Sequence, residues 1–164
     1  RTTTFSLSQA DCEINGASVL PTALYTHAPL DLVILMLGTN DLQSIICGRA
    51  MGAMQGMRRL VEIVRQHAPR LLPADPAPKV LVVSPPRLVK SADPYFLEVF
   101  DEAIGESGKL AGLYSALSME LGCAFFDAAQ VAHADPVDGV HLDARNTAAI
   151  GEAIAPVVRE VLAH

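Results

Sequence analysis

The chain has 164 residues, a formal net charge of −6, 51% apolar residues and only 18% charged ones. That length predicts one domain with a substantial core, and the acidic balance, with basic residues scattered apart from Arg58-Arg59, argues against a nucleic-acid partner. Every apolar run falls far short of the ~20 residues of a membrane span, while so apolar and lightly charged a chain points to a homo-oligomer.

Residues 1–29 are polar, then mixed, and hold no clear strand. Residues 30–37 read LDLVILML between Pro29 and Gly38, the pattern of a strand buried on both faces of a parallel sheet. Residues 49–67 have helical spacing, with Met54, Met57, Leu60, Val61 and Val64 on one side and Arg58, Arg59, Glu62 and Arg65 on the other. Pro69, Pro73, Pro76 and Pro78 predict a loop. A second strand, KVLVVS at 79–84, stops at Pro85-Pro86. Residues 94–121 read as helix, broken near Gly105 or Gly108. A third strand covers 123–126, and a loop carries 135–142. The last helix opens near Asp143 as N-cap, turns Ile150, Ile154, Val157, Val158 and Val161 inward, and is expected to kink at Pro156. Alternating strands and helices imply right-handed crossovers and an α/β fold, a parallel sheet covered on both sides.

Cys12, Cys47 and Cys123 are odd in number and lack Cys-x-x-Cys spacing. A disulfide framework or a zinc site is therefore not expected, and three small core thiols in a reducing, cytoplasmic setting are. The chain starts at Arg1 rather than Met, so the natural start of translation is not in view.

In an open parallel sheet, ligands bind beyond the carboxyl ends of the strands. Gly38-Thr39-Asn40-Asp41 follows the first strand. Its glycine permits a sharp turn, which can aim the Asn40 amide inward as a neutral donor to a developing oxyanion. Asp41 can hold the loop through backbone N–H groups. The same four residues would also make an ordinary strand-to-helix turn. Ser84-Pro85-Pro86 follows the second strand, and Asp127 ends the third. In Asp138-Gly139-Val140-His141, a histidine able to accept a proton near neutrality sits three residues after a carboxylate that can fix its tautomer; a surface loop with an incidental Asp and His is the alternative. Asp135 is a rival acid at a less local spacing. His27, His67, His133 and His164 lack a matched acid and read as surface or packing residues.

Together these residues resemble a known family. LGTND after an apolar strand, and DGVHLD near the C-terminus, are similar to the third and last conserved blocks of the SGNH (GDSL) serine hydrolases. NGASVLPTALYTHAPLDLVILMLGTND, PAPKVLVVSPP, YSAL, FFDA and DGVHL resemble the subgroup of arylesterases, perhydrolases and acyltransferases that assemble as octamers, a likeness running over nearly all of residues 1–162. The resemblance implies a three-layer α/β/α, flavodoxin-like fold. It implies His141 as general base, Asp138 as its orienting acid and Asn40 as oxyanion donor. Phe96, Val99 and Phe100 would line the acyl pocket, with Thr39 and Val140 beside the reacting groups. Short-chain esters would be the substrates, water or an alcohol the acyl acceptor, and neither metal nor organic cofactor would be needed.

The sequence departs from that family in one respect. The family's first block, a strand ending in Gly-Asp-Ser whose serine is the nucleophile, is not found, nor is the second block with its further oxyanion donor. Gly105-Glu106-Ser107 lies in a helical region, and Ser18 and Ser44 lack a strand-to-turn setting. The expectation is therefore a single SGNH-like domain, N-terminally truncated, with its first strand absent and no activity of its own. A ligand-binding relative without catalysis is the alternative. A flavodoxin-like nucleotide binder is disfavoured because no strand is followed by a Gly-rich phosphate loop.

Overall fold

The structure, a computed structural model, describes residues 1–7, 10–71, 77–100 and 102–163, with backbone alone for 67–71. His164, Pro73, Pro76 and the side chains of His67 and Pro69 lie outside the described residues. The elements in chain order are α1 (Gly16–His27), β1 (Leu32–Leu35), α2 (Ala50–Leu71), β2 (Lys79–Ser84), α3 (Pro94–Phe100), α4 (Ala103–Ser107), α5 (Leu110–Leu121), β3 (Ala124–Asp127) and α6 (Ala144–Ala163). Single 3-10 turns at Asn40–Leu42 and Ala128–Gln130 follow β1 and β3.

Among the described residues the strands form one parallel sheet in the order β1-β2-β3, with Ile34 opposite Leu81 and Leu81 opposite Ala124. Because side chains alternate across a strand, β2 feeds two cores. Val80 and Val82 join Leu35, Met57, Leu60, Val61, Val64, Leu110, Tyr114 and Leu117 under α1, α2 and α5. Leu81 and Val83 join Ala128, Ala132 and Ile150 under α6. The result is the expected α/β/α three-layer architecture, and β2 is the strand whose apolar residues are buried on both faces.

The expectation that β1 is buried on both faces is corrected: Ile34 and Met36 are 42% and 41% exposed. The helix on that side, α6, packs mainly against β2 and β3; Leu32 is partly covered beside it, but Ile34 and Met36 stay exposed while Leu35 on the opposite face is buried. Three further differences are local. Residues 16–27 form a helix that the sequence reading missed; Asn15 caps it by accepting from the Ala17 amide at 2.9 Å. Helix α2 continues past Pro69 to Leu71. The cysteines are free, but Cys12 is exposed and Cys47 and Cys123 are half-buried, so they are not core thiols. The stretch read as one broken helix forms three, with α3 ending at Phe100 and a second break at Gly108, while Gly105 lies within α4, and α6 runs through Pro156 without ending. Asp143 caps α6, accepting from the Asn146 amide at 2.6 Å.

Tyr114 ties the core to the turn that carries the site. It is fully buried on α5, and its hydroxyl donates to the Leu37 carbonyl at 2.9 Å. Burial, and secondarily the charge of Asp41, pushes its pKa far up, so it stays a neutral donor. The adjacent Gly38 has φ +126, and a Cβ there would come within 2.3 Å of that hydroxyl. Tyr114→Phe is expected to lower unfolding stability by ~1 kcal/mol, the net value of one hydrogen bond. Urea denaturation of the two forms measures it, and coincident midpoints would show that the bond contributes nothing.

Candidate active site

The loop after β3 is organised by one carboxylate. Asp138 Oδ1 accepts the backbone N–H groups of Val140 and His141, each at 2.8 Å, and Oδ2 meets His141 Nδ1 at 2.7 Å. Partial burial pushes the Asp138 carboxyl upward, but the His141 and Val140 amides and then the imidazole outweigh it and hold the group below the usual carboxylate range. An ionised partner at Nδ1 places the ring hydrogen there, which leaves Nε2 as the acceptor. The rival Asp135 is engaged elsewhere, its side chain accepting from the Val137 amide at 2.9 Å. Gly139 is required by the backbone: φ is +74, and a Cβ would fall 2.3 Å from the Val89 carbonyl.

The turn after β1 presents the second group. The Asn40 amide nitrogen donates to the Arg1 carbonyl at 3.3 Å, and its oxygen accepts from Gln43 Nε2 at 3.2 Å. The Arg1 carbonyl, which can only accept, thereby fixes which end of the amide carries the donors. Asp41 is fully buried and accepts both the amide and the hydroxyl of Thr3.

The two loops, more than ninety residues apart in the chain, meet at one cavity of about 330 Å³ at the carboxyl end of the sheet. Thr39, Asn40, Val140 and His141 line it, together with Met36, Pro85, Pro86 and Leu142. Phe96 stands edge-on to the His141 ring, centroids 5.6 Å apart and planes at 86°, and stacks on the buried Phe100 at 6.4 Å. Phe100 lies behind Phe96 and beside Asp138 in a narrow cleft rather than lining that cavity. Val99 is turned away from it and lines a separate cavity of about 650 Å³ with Leu42, Ser44 and Leu97. Sequence reasoning missed Met36, Leu142 and Gln43 as site residues. For Pro85 and Pro86 it noted only the strand end, although that position was itself the signal.

Other candidates have structural partners. Ser84 Oγ donates to Asp127 at 2.9 Å, joining the ends of β2 and β3. Ser107 Oγ donates to the Ile104 carbonyl at 2.7 Å and accepts from the Leu88 amide at 3.1 Å. His133 and His27 are exposed. Among the described residues no cluster of His, Cys, Asp or Glu could hold a metal ion, and no helix is long and apolar enough to cross a membrane.

No family model matches the chain, and no curated protein matches it. Solved structures do. A carbohydrate acetylesterase family member from Sinorhizobium meliloti is 49% identical, superposes with a TM-score of 0.96, and is matched over 100% of this chain and 76% of its own. The native aryl esterase of M. smegmatis is 42% identical, with a TM-score of 0.92 over 98% of this chain and 74% of its own. Est24, a carbohydrate acetylesterase from Sinorhizobium meliloti, is 41% identical, with a TM-score of 0.89 over 98% and 74%. Identity at this level over the whole sheet, its helices and both site-bearing loops places the chain in the SGNH hydrolase family of carbohydrate acetylesterases and arylesterases.

Proposed function

We propose that the chain carries the base, the orienting acid and one oxyanion donor of a serine ester hydrolase. The observation that carries this reading is the convergence of Asn40 and His141 on one cavity with Asp138 on Nδ1. A serine hydroxyl attacks the ester carbonyl and gives its proton to His141 Nε2, while Asp138 stabilises the imidazolium. The carbonyl oxygen takes the negative charge and accepts from the Asn40 amide. Collapse of the tetrahedral intermediate breaks the ester C–O bond; His141 returns the proton to the leaving alcohol, and an acyl-serine remains. Water then repeats the sequence and releases the acid, or an alcohol takes the acyl group instead. A cavity of about 330 Å³ walled by Met36, Pro86, Val140 and Leu142 suits a short acyl chain.

No serine among the described residues lines the cavity with His141. This reading takes the nucleophile from a segment outside the 164 residues, as the family's Gly-Asp-Ser block would supply. The test is hydrolysis of p-nitrophenyl acetate by the 164-residue chain and by the protein carrying that segment, each with and without a serine-directed phosphonate. The chain alone is expected to give no phosphonate-sensitive turnover. The longer protein is expected to turn over and to be silenced by a label on a serine of the added segment. Phosphonate-sensitive turnover by the chain alone would overturn the placement of the nucleophile. Binding of the ester without turnover by either form would replace the hydrolase with a ligand-binding protein.

A further inference from the structure

One buried ionisable group at the site has no part in the chemistry above. Asp41, fully buried beside Asn40, grips Thr3 through two donors: both its oxygens accept the Thr3 amide, at 3.1 and 3.0 Å, and Oδ1 also accepts the Thr3 hydroxyl. Burying a carboxylate is costly unless its oxygens are satisfied, and a neutral apolar side chain would hold an ordinary turn at lower cost. What a carboxylate offers in addition is two acceptor atoms that grip one residue through two different donors, fixing both the place and the orientation of its peptide.

The gripped segment leads back to Asn40. Thr2 and Thr3 are fully buried, and the backbone of residues 2–3 is held on its other side by the start of α1, where the Gly16 and Ala17 amides donate to the Thr2 and Thr3 carbonyls at 3.1 and 3.0 Å. Thr3 also presses on α2, where a Cβ on Gly56 would fall 1.8 Å from the Thr3 hydroxyl. Two residues before Thr3, the Arg1 carbonyl accepts from Asn40. The Asn40 amide has two N–H bonds. One is engaged by Arg1 and the amide oxygen by Gln43, so the second N–H is the one left to serve an oxyanion.

We infer that Asp41 is a positioning residue: by clasping Thr3 it sets the Arg1 carbonyl, which locks the Asn40 amide with its remaining N–H turned to the reacting oxygen. The inference rests on the hydrolase reading. Loosening the clasp lets the amide rotate away, which weakens the transition state more than substrate binding.

The experiment is steady-state hydrolysis of p-nitrophenyl acetate by the protein carrying its nucleophile, comparing Asp41→Asn, Thr3→Val and Thr3→Ser, with thermal unfolding of each. Asp41→Asn and Thr3→Val are expected to lower kcat about ten- to a hundredfold, the scale of a small misplacement of a catalytic group, with KM within about twofold. Thr3→Ser, which keeps the hydroxyl, should retain the parent kcat. The deciding comparison is made in an Asn40→Ala background. There the same substitutions should lower kcat no further, because the amide they position is gone. A purely structural Asp41 would give losses that multiply with that of Asn40→Ala, and this result, or an unchanged kcat in a less stable protein, overturns the inference. Should Asp41→Asn fail to fold, the near-isosteric Thr3→Val decides by the same comparison. His141→Ala separates the two readings: if it retains turnover, the hydrolase reading falls, whereas if it is inert while the Asp41 and Thr3 variants stay fully active, only the positioning role falls.

Discussion

Asp138→Asn, in the protein carrying its nucleophile, is expected to lower kcat on a short aryl ester by about 10⁴-fold, the loss seen when the acid of a comparable triad becomes an amide. The geometry dictates the sense of the error. Oδ1 already accepts the Val140 and His141 amides, so the carbonyl oxygen of the introduced asparagine takes that place and its NH₂ faces Nδ1. An NH₂ can donate there but cannot accept. His141 must then carry its hydrogen on Nε2, the atom that should receive the serine proton, and the loop keeps its shape while the base is blocked. KM should change little, because no contact to the ester is removed. The same substitution affects acid stability. Since the folded protein holds the Asp138 carboxyl below its ordinary range, its stabilising contribution is present at neutral pH and is lost as pH falls through that depressed value. Asp138→Asn should therefore flatten the low-pH end of the stability curve. Stopped-flow or steady-state kinetics with pH-dependent thermal melts check both parts. A kcat within tenfold of the parent would show that the ring needs no carboxylate to orient it.

How much of this was legible in the sequence depended on how local the cause was. The Asp138–His141 pair spans three residues and one glycine, so the chain itself brings the partners together. Strand β2 was read with its observed limits because an unbroken apolar run ended at two prolines. The meeting of the two loops is non-local, yet parallel strands bring their carboxyl ends to one rim, and both loops follow such ends. What failed needed knowledge of neighbours. The pattern LDLVILML looks buried on both faces, but whether a helix covers Ile34 and Met36 depends on where α6 lies. Helix α1 carries Pro21 and no clean apolar stripe, so its local signal was the Asn15 cap alone. The grip of Asp41 on Thr3 joins residues 38 positions apart, and nothing in either sequence context announces it. For α3 the family resemblance grouped Phe96, Val99 and Phe100 together. On a helix turning about 100° per residue, positions 96 and 100 overlap toward His141 while 99 falls to the other flank, where it lines the separate cavity.

Asn40→Ala is expected to reduce kcat by about 10²–10³-fold, corresponding to ~3–4 kcal/mol for one preorganised oxyanion donor, with KM near the parent value. The partition follows from when the contact matters. A neutral ester carbonyl accepts a weak hydrogen bond, whereas the tetrahedral oxyanion accepts a charge-assisted one about twice as strong, so the amide's contribution is concentrated in the transition state. The fold should tolerate the change. Asn40 is only half-buried, and its bonds to the Arg1 carbonyl and Gln43 are long, at 3.3 and 3.2 Å, so stability should fall by less than ~1 kcal/mol. Asn40→Asp provides a sharper contrast, since it keeps the size but replaces the donor with a charged acceptor facing the developing negative oxygen; its loss should exceed that of alanine. Steady-state kinetics of both variants, with melting curves to confirm folding, separate two roles for the turn. A loss confined to kcat and larger for Asp than for Ala assigns Asn40 to the oxyanion. A loss carried by KM, with the two variants equal, would make Asn40 a contact to the bound ester and put the oxyanion donor on another part of the cavity wall.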